Sequence, residues 1–172
     1  MHRATRALIA DRLRDAGAVL TVSSVRRVPQ FEPTNCLSNS AKAMSIDVLG
    51  SGSTNNPCVA GWLVTAFDPK LGHAPIVQHW WNRDPILGVE FDTTPLHPDT
   101  IAGRPEYVSD PDYYEVGMRE QRKRKLATGV GRDLAYKDDA WFEFVDDVDG
   151  MYHLEPMPSL KTTALFFYGP PQ

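Results

Sequence analysis

The chain has few of the features that assign a protein to a specialised class. Its 172 residues include only two cysteines, Cys36 and Cys58, too few for a disulfide framework to organise the fold. No apolar run approaches the roughly 18 residues that a membrane-spanning helix needs. The formal net charge of −4 argues against nucleic-acid binding over the whole surface. These absences predict an ordinary globular protein without a membrane span.

The N-terminus also lacks the profile of a secretory signal peptide, because charged residues interrupt its apolar ones. We therefore expect a cytoplasmic protein, or an effector that is exported without a cleavable signal peptide. With 42% hydrophobic residues, the chain can bury a substantial core. We expect one domain over residues 1–172, with a core over about 18–110 and a C-terminal extension over 111–172.

Hydrophobic periodicity predicts a fold of class α+β. Apolar spacing indicates a helix over residues 3–16, and Thr34 or Asn35 is a credible N-cap for a second helix that runs to about Leu49. We expect the second helix to pack on a mainly antiparallel sheet, residues 96–112 to form a loop and a basic helix to follow over 113–126. Strands are predicted over residues 18–28, 59–67, 75–82, 89–94, 141–145 and 160–168.

Three residues in a fixed order form the candidate catalytic group: Cys36, His79 and Asp92. Cys36 lies where the second helix is predicted to begin. The helix dipole and the unpaired N–H groups there favour a thiolate and can bind a developing oxyanion. A thiol that faces a His–Asp pair is the minimal machinery for nucleophilic attack on an amide or ester carbonyl.

The predicted hairpin brings the histidine and the carboxylate together. If Asn82 pairs with Val89, His79 lies directly opposite Asp92 on one sheet face, with Cβ atoms roughly 5 Å apart. A register slip of one residue would place the two side chains on opposite faces. Further candidates for binding the substrate or the oxyanion are the side chains near the thiol, namely Asn35, Asn39, Gln78 and Trp81.

These residues resemble a known family. In the transglutaminase-like branch of the papain-like fold, a Cys opens a helix, and two adjacent strands carry a His before an aromatic residue and an Asp in an Asp-x-Thr ending. The counterparts are Asn35-Cys36, His79-Trp80-Trp81 and Phe91-Asp92-Thr93-Thr94-Pro95. The layout is also similar to that of small uncharacterised phage and bacterial proteins. The resemblance covers about residues 34–110 and implies a papain-like core.

The resemblance implies that Cys36 is the nucleophile, His79 the general base and acid, and Asp92 the residue that orients His79. We expect a cysteine-dependent acyl-transfer enzyme that hydrolyses an amide bond of a protein or peptide, without a cofactor. The family includes proteases, amidases, deamidases and inactive members, so the reaction type stays open. The alternative is an inactive binding or regulatory module that contacts a partner through the basic helix over 113–126.

A zinc site is the other chemistry that these residue types permit. Cys36, Cys58, His73 and His79 supply thiol and imidazole groups, but their spacing is irregular and contains no C-x₂-C or H-x₃-H pair. We therefore expect no metal site and a structural role for Cys58.

Overall fold

The computed structural model describes residues 1–16, 20–33, 35–110, 133–146 and 152–157. It contains three helices and nine strands within these ranges. The helices are α1 (Arg3–Ala16), α2 (Cys36–Ala43) and α3 (Pro98–Ala102). The strands are β1 (Thr21–Ser23), β2 (Val25–Arg27), β3 (Cys58–Val64), β4 (Ala74–Asp84), β5 (Val89–Asp92), β6 (Glu106–Ser109), β7 (Asp133–Lys137), β8 (Ala140–Asp146) and β9 (Tyr152–Met157).

All nine strands belong to one sheet. Its main path runs β1-β6-β3-β4-β7-β8-β9, and β5 pairs with both β4 and β2. Every pair is antiparallel except β2 with β5, which is parallel. The predicted α+β class with a mainly antiparallel sheet is therefore confirmed. The predicted C-terminal extension adds β7, β8 and β9 to the same sheet.

Strands β1 and β2 close part of this sheet into a ring. Only Ser24 separates them, yet β1 pairs with β6 and β2 pairs with β5. Because β6, β3, β4 and β5 are hydrogen-bonded in that order, the sheet must curl until both of its ends meet consecutive residues of one segment. The ring therefore has an inner face and an outer face.

Helix α1 covers the outer face. Its Ala4 and Leu8 are buried and pack in one apolar cluster with side chains of four strands, namely Trp62, Val64, Ala74, Ile76, Val108 and Leu134. The indole N–H of Trp141 on β8 donates to the Asp11 carboxylate on α1 over 2.6 Å. The amphipathic periodicity that predicts the helix thus also determines which of its faces is buried.

A second cluster lies inside the ring. Leu63, Trp81 and Tyr107 are buried there, and Val25, Val59 and Leu96 pack against them. Gly61 makes room for this cluster, because a Cβ atom at Gly61 would lie 2.0 Å from the Val108 carbonyl oxygen and 2.8 Å from the Trp81 ring. A side chain at this position would therefore force strands β3 and β6 apart.

Several predicted boundaries are wrong. Helix α2 ends at Ala43 instead of Leu49, because the side chain of Asn56 donates to the Ala43 carbonyl oxygen and ends the helix from a distant loop. The strand predicted over 18–28 is divided at Ser24, where the chain passes from one ring edge to the other. The loop predicted over 96–112 contains α3 and β6. The helix predicted over 113–126 and the strand predicted over 160–168 lie outside the described residues.

No helix in the described ranges combines the length and the apolar character that crossing a membrane requires. The same ranges contain no group of three or more His, Cys, Asp and Glu side chains placed to hold a metal ion.

Candidate active site

Helix α2 begins at Cys36, with Asn35 in the N-cap position. The backbone N–H of Asn39 donates to the Asn35 carbonyl oxygen over 2.9 Å and closes the first turn. The exposed Asn35 side chain makes no capping hydrogen bond. Since a helix leaves its first N–H groups without intrahelical acceptors, the donors beside the Cys36 thiol are not satisfied by the usual side-chain cap.

Asp92 at the end of β5 is held by three donors. Its Oδ2 accepts hydrogen bonds from His79 Nε2 over 2.8 Å and from the Tyr107 hydroxyl over 2.7 Å. Its Oδ1 accepts from the Thr94 backbone N–H over 2.8 Å. Burial alone would raise the pKa of Asp92, but these hydrogen bonds and the His79 charge lower it below its usual value. The carboxylate is therefore ionised and fixed in orientation.

His79 on β4 is 3% exposed and lies between two aromatic rings. The Trp81 ring stacks at 6.3 Å from the imidazole centroid, and the Tyr107 ring meets it edge-on at 5.8 Å. Burial would lower the pKa of His79, but its hydrogen bonds with Asp92 and Cys36 and the charges of both groups raise the pKa to about 10. The imidazolium is therefore the expected form at neutral pH.

The thiol of Cys36 lies beside His79. Nε2 of the imidazole is engaged by Asp92, and a hydrogen bond with Cys36 and the charge of Cys36 also raise the pKa of His79. Cys36 is a free thiol and is partly exposed. The structure thus brings the three predicted residues together in the order Cys36, His79, Asp92, with an accessible sulfur at one end.

The second cysteine is in a different environment. Its Sγ lies 2.7 Å from the Oγ of Ser40, which is one helical turn after Cys36. Burial, together with the nearby charge of Cys36, raises the pKa of Cys58 to about 11, although the Ser40 hydrogen bond opposes the shift. A thiol in such surroundings is poorly nucleophilic at neutral pH, which makes Cys58 a useful internal reference for Cys36.

The predicted hairpin register is wrong by two residues. Asn82 pairs with Phe91 instead of Val89, so Trp81 faces Asp92 and His79 lies diagonally across from it. Strand β4 runs on to Asp84, whose Oδ1 accepts from the backbone N–H groups of the turn that follows. Because the shift is even, His79 and Asp92 still share one face of the sheet, and a diagonal pair can meet.

Three other predicted side chains have the following surroundings. Asn39 is buried and donates its amide N–H groups to the Glu32 carbonyl oxygen over 2.7 Å and to Thr94 Oγ1 over 3.2 Å. Gln78 precedes His79 on β4 and so lies on the opposite face of the strand. Trp81 is fully buried, and its indole N–H donates to Glu90 over 2.7 Å.

Sequence reasoning missed two partners of Asp92. Tyr107 lies on β6, within the segment that is predicted as a loop. The adjacent strand-favouring residues Tyr107 and Val108 are a short strand signal, but three prolines nearby conceal it. A search for side-chain partners does not identify the Thr94 backbone N–H as a donor, although Asp-x-Thr is a typical pattern for a carboxylate that bonds the backbone two residues later.

No protein-family model, no curated protein and no solved structure matches this chain. The site is therefore interpreted from its own geometry.

Proposed function

We propose that the protein is a cysteine-dependent acyl-transfer enzyme that hydrolyses an amide bond. The observation that carries the proposal is the buried His79, which pairs with the Asp92 carboxylate at 2.8 Å and whose pKa is also raised by the nearby Cys36 thiol. A buried imidazole that pairs with a carboxylate and interacts with a thiol is the arrangement that activates a cysteine nucleophile. We propose a papain-like core of the transglutaminase-like branch as its framework.

In the proposed reaction, the Cys36 thiolate attacks the carbonyl carbon, and the oxyanion that forms is bound by N–H groups at the start of α2. The His79 imidazolium gives its proton to the amide nitrogen as the C–N bond breaks, which releases the amine and leaves a thioester. Neutral His79 then takes a proton from water, whose oxygen attacks the thioester carbon. Release of the acid regenerates the thiolate and the imidazolium.

Asp92 orients the imidazole and stabilises its charged form, and Tyr107 keeps the carboxylate in place. These steps use side chains, backbone N–H groups and water. They apply equally to a peptidase, an amidase and a deamidase, since each breaks a C–N bond at an acyl carbon. A protein or peptide is the proposed substrate.

Thiol reactivity tests the proposal without knowledge of the substrate. Iodoacetamide labelling at pH 6, followed by peptide mass spectrometry, compares Cys36 and Cys58 in one molecule. A thiolate held by an imidazolium reacts at this pH, whereas free thiols are almost entirely protonated. We expect Cys36 to react at least about tenfold faster than Cys58, and His79→Gln to remove most of the difference.

The reaction itself is tested with a peptide library whose products are identified by mass spectrometry. We expect cleavage or deamidation products with the wild-type protein and with Cys58→Ser, and none with Cys36→Ser. Equal, slow labelling of both cysteines would overturn the proposal and favour the inactive binding module, whose predicted basic helix over 113–126 lies outside the described residues. Undiminished turnover by Cys36→Ser would overturn it as well.

A further inference from the structure

Arg27 on β2 lies on the same sheet face as the candidate catalytic residues. The parallel pairing of β2 with β5 places Arg27 beside Asp92, and paired residues of adjacent strands project to one face. Val25, two residues earlier on β2, packs inside the ring against the cluster of Leu63, Trp81 and Tyr107. By the alternation of strand residues, Arg27 projects to the same inner side.

Arg27 is half-buried, and within the described residues its buried Nε has no hydrogen-bond partner. Among the described residues, no carboxylate lies within ion-pair distance of it. Its positive charge nevertheless reaches the Tyr107 hydroxyl. Burial and the Asp92 carboxylate raise the pKa of Tyr107, and the charge of Arg27 opposes this rise.

The two carboxylates on this face are already engaged. Asp92 accepts from His79, Tyr107 and the Thr94 backbone. Glu90 accepts from the indole N–H of Trp81. A partly buried cation without a partner is costly, because it loses hydration without gaining an ion pair. Arg27 therefore retains the capacity to bind an anionic group that comes from outside the protein.

We propose that Arg27 binds a carboxylate of the substrate, next to the amide bond that Cys36 attacks. This inference rests on the proposed function and narrows its substrate class to amides that carry a carboxylate near the reacting carbonyl. A guanidinium suits this role because its planar donors match the two oxygens of a carboxylate. Arg27 would thus select the substrate, while Cys36 and His79 perform the chemistry.

Iodoacetate and iodoacetamide are matched probes of this site, since both alkylate a thiolate and only iodoacetate carries a carboxylate. The measurement is the ratio of their rate constants at Cys36, in a Cys58→Ser background and at low salt. We expect Arg27→Gln to lower the ratio about fivefold, because the variant loses one nearby positive charge in a partly aqueous site. Arg26→Gln is the matched control, because Arg26 is the exposed neighbour on the opposite face, and it should leave the ratio unchanged.

The outcomes separate this inference from the proposed function. Fast alkylation by iodoacetamide with a ratio that Arg27→Gln does not change would overturn the role of Arg27 and leave the enzyme proposal intact. Slow alkylation of wild-type Cys36 by iodoacetamide would overturn the proposed function itself.

If Arg27→Gln does not fold, the test uses the wild-type protein and compares how two compounds protect Cys36 from iodoacetamide. N-acetylglycine should slow the reaction of Cys36 with iodoacetamide, whereas N-acetylglycinamide, which lacks the carboxylate, should not. Equal effects of the two compounds would overturn the inference.

Discussion

His79 and Asp92 show how a buried charged pair is maintained in this protein. Each would lose its charge through burial alone, and each keeps it because the partner and further hydrogen bonds oppose that effect. The protonation states of these two residues are therefore coupled to the stability of the folded protein. The pKa of His79 is raised to about 10 in the folded protein, while a histidine in an unfolded chain titrates near 6.5.

This difference predicts how stability depends on pH. Between about pH 6.5 and 10, the folded protein holds a proton on His79 that the unfolded chain releases, so its contribution is complete below that range and disappears as pH rises through it. In a Cys36→Ser, Cys58→Ser background, which removes the titration of both thiols, we expect the free energy of unfolding in urea to fall by about 1 kcal/mol per pH unit between pH 7 and 8, because Asp92 still raises the pKa of His79. His79→Gln should flatten this slope. An equal slope in both proteins would contradict the raised pKa.

At the scale of elements, Asn39 connects helix α2 to the segment that follows strand β5. Asn39 lies three residues after Cys36 on α2, and its amide reaches Thr94, whose backbone N–H holds the Asp92 carboxylate. The same amide donates to Glu32, in the segment that leads into the helix. Backbone N–H groups of Gln30 and Phe31 also donate to the Thr93 carbonyl oxygen. Cys36 and the Asp92 carboxylate are therefore linked through Asn39 and Thr94, although they lie on different elements.

Asn39→Ala should disturb both stability and reactivity. It removes the donor to the Glu32 carbonyl oxygen and to the buried Thr94 hydroxyl, which we expect to cost about 1–3 kcal/mol of unfolding free energy. We also expect slower alkylation of Cys36 by iodoacetamide, because the helix is less firmly placed against β5.

Asn35→Ala is the control for Asn39, since Asn35 is exposed and makes no capping hydrogen bond at the start of the same helix. It should change neither urea stability nor the alkylation rate. If Asn39→Ala has the stability and the alkylation rate of the wild-type protein, the hydrogen bonds of Asn39 do not position the thiol.

Closure of the ring determines the arrangement of the whole molecule. The hydrogen bond from Tyr107 on β6 to Asp92 on β5 joins two strands that are not neighbours in the sheet. It forms because β1 and β2 bring the β6 and β5 edges to one segment of the chain. The closed ring thus supplies the candidate active site with a partner that an open sheet would hold several strands away.

Substitution of Gly61 tests how much the stability of the whole fold depends on the close approach of β3 and β6. A Cβ at Gly61 would lie 2.0 Å from the backbone oxygen of Val108, so Gly61→Ala should cost about 3 kcal/mol or more, seen as a lower midpoint in urea. Gly103→Ala is the control, because the nearest atom to its added Cβ is 3.6 Å away, an ordinary contact. Similar stability losses in the two variants would refute the close approach of β3 and β6.

The sequence was most informative where one local pattern was sufficient. The periodicity of residues 3–16 predicts α1 with its observed bounds, and the N-cap signal at Thr34 or Asn35 places Cys36 in the first turn of α2. The alternation of β4 and β5 places His79 and Asp92 on one face even though the register is wrong. Side-chain alternation has a period of two residues, so an even error in register leaves the face unchanged.

What only the tertiary structure decided depends on contacts between distant segments. Asn56 bonds the end of α2 from a distant loop, two different partner strands divide β1 from β2, and Tyr107 reaches Asp92 across the ring. Local propensity does not predict such contacts, because their energy comes from residues far apart in the chain. The sequence by itself therefore determined the candidate catalytic residues and the sheet face they share, and the closed ring of strands decided which side chains surround them.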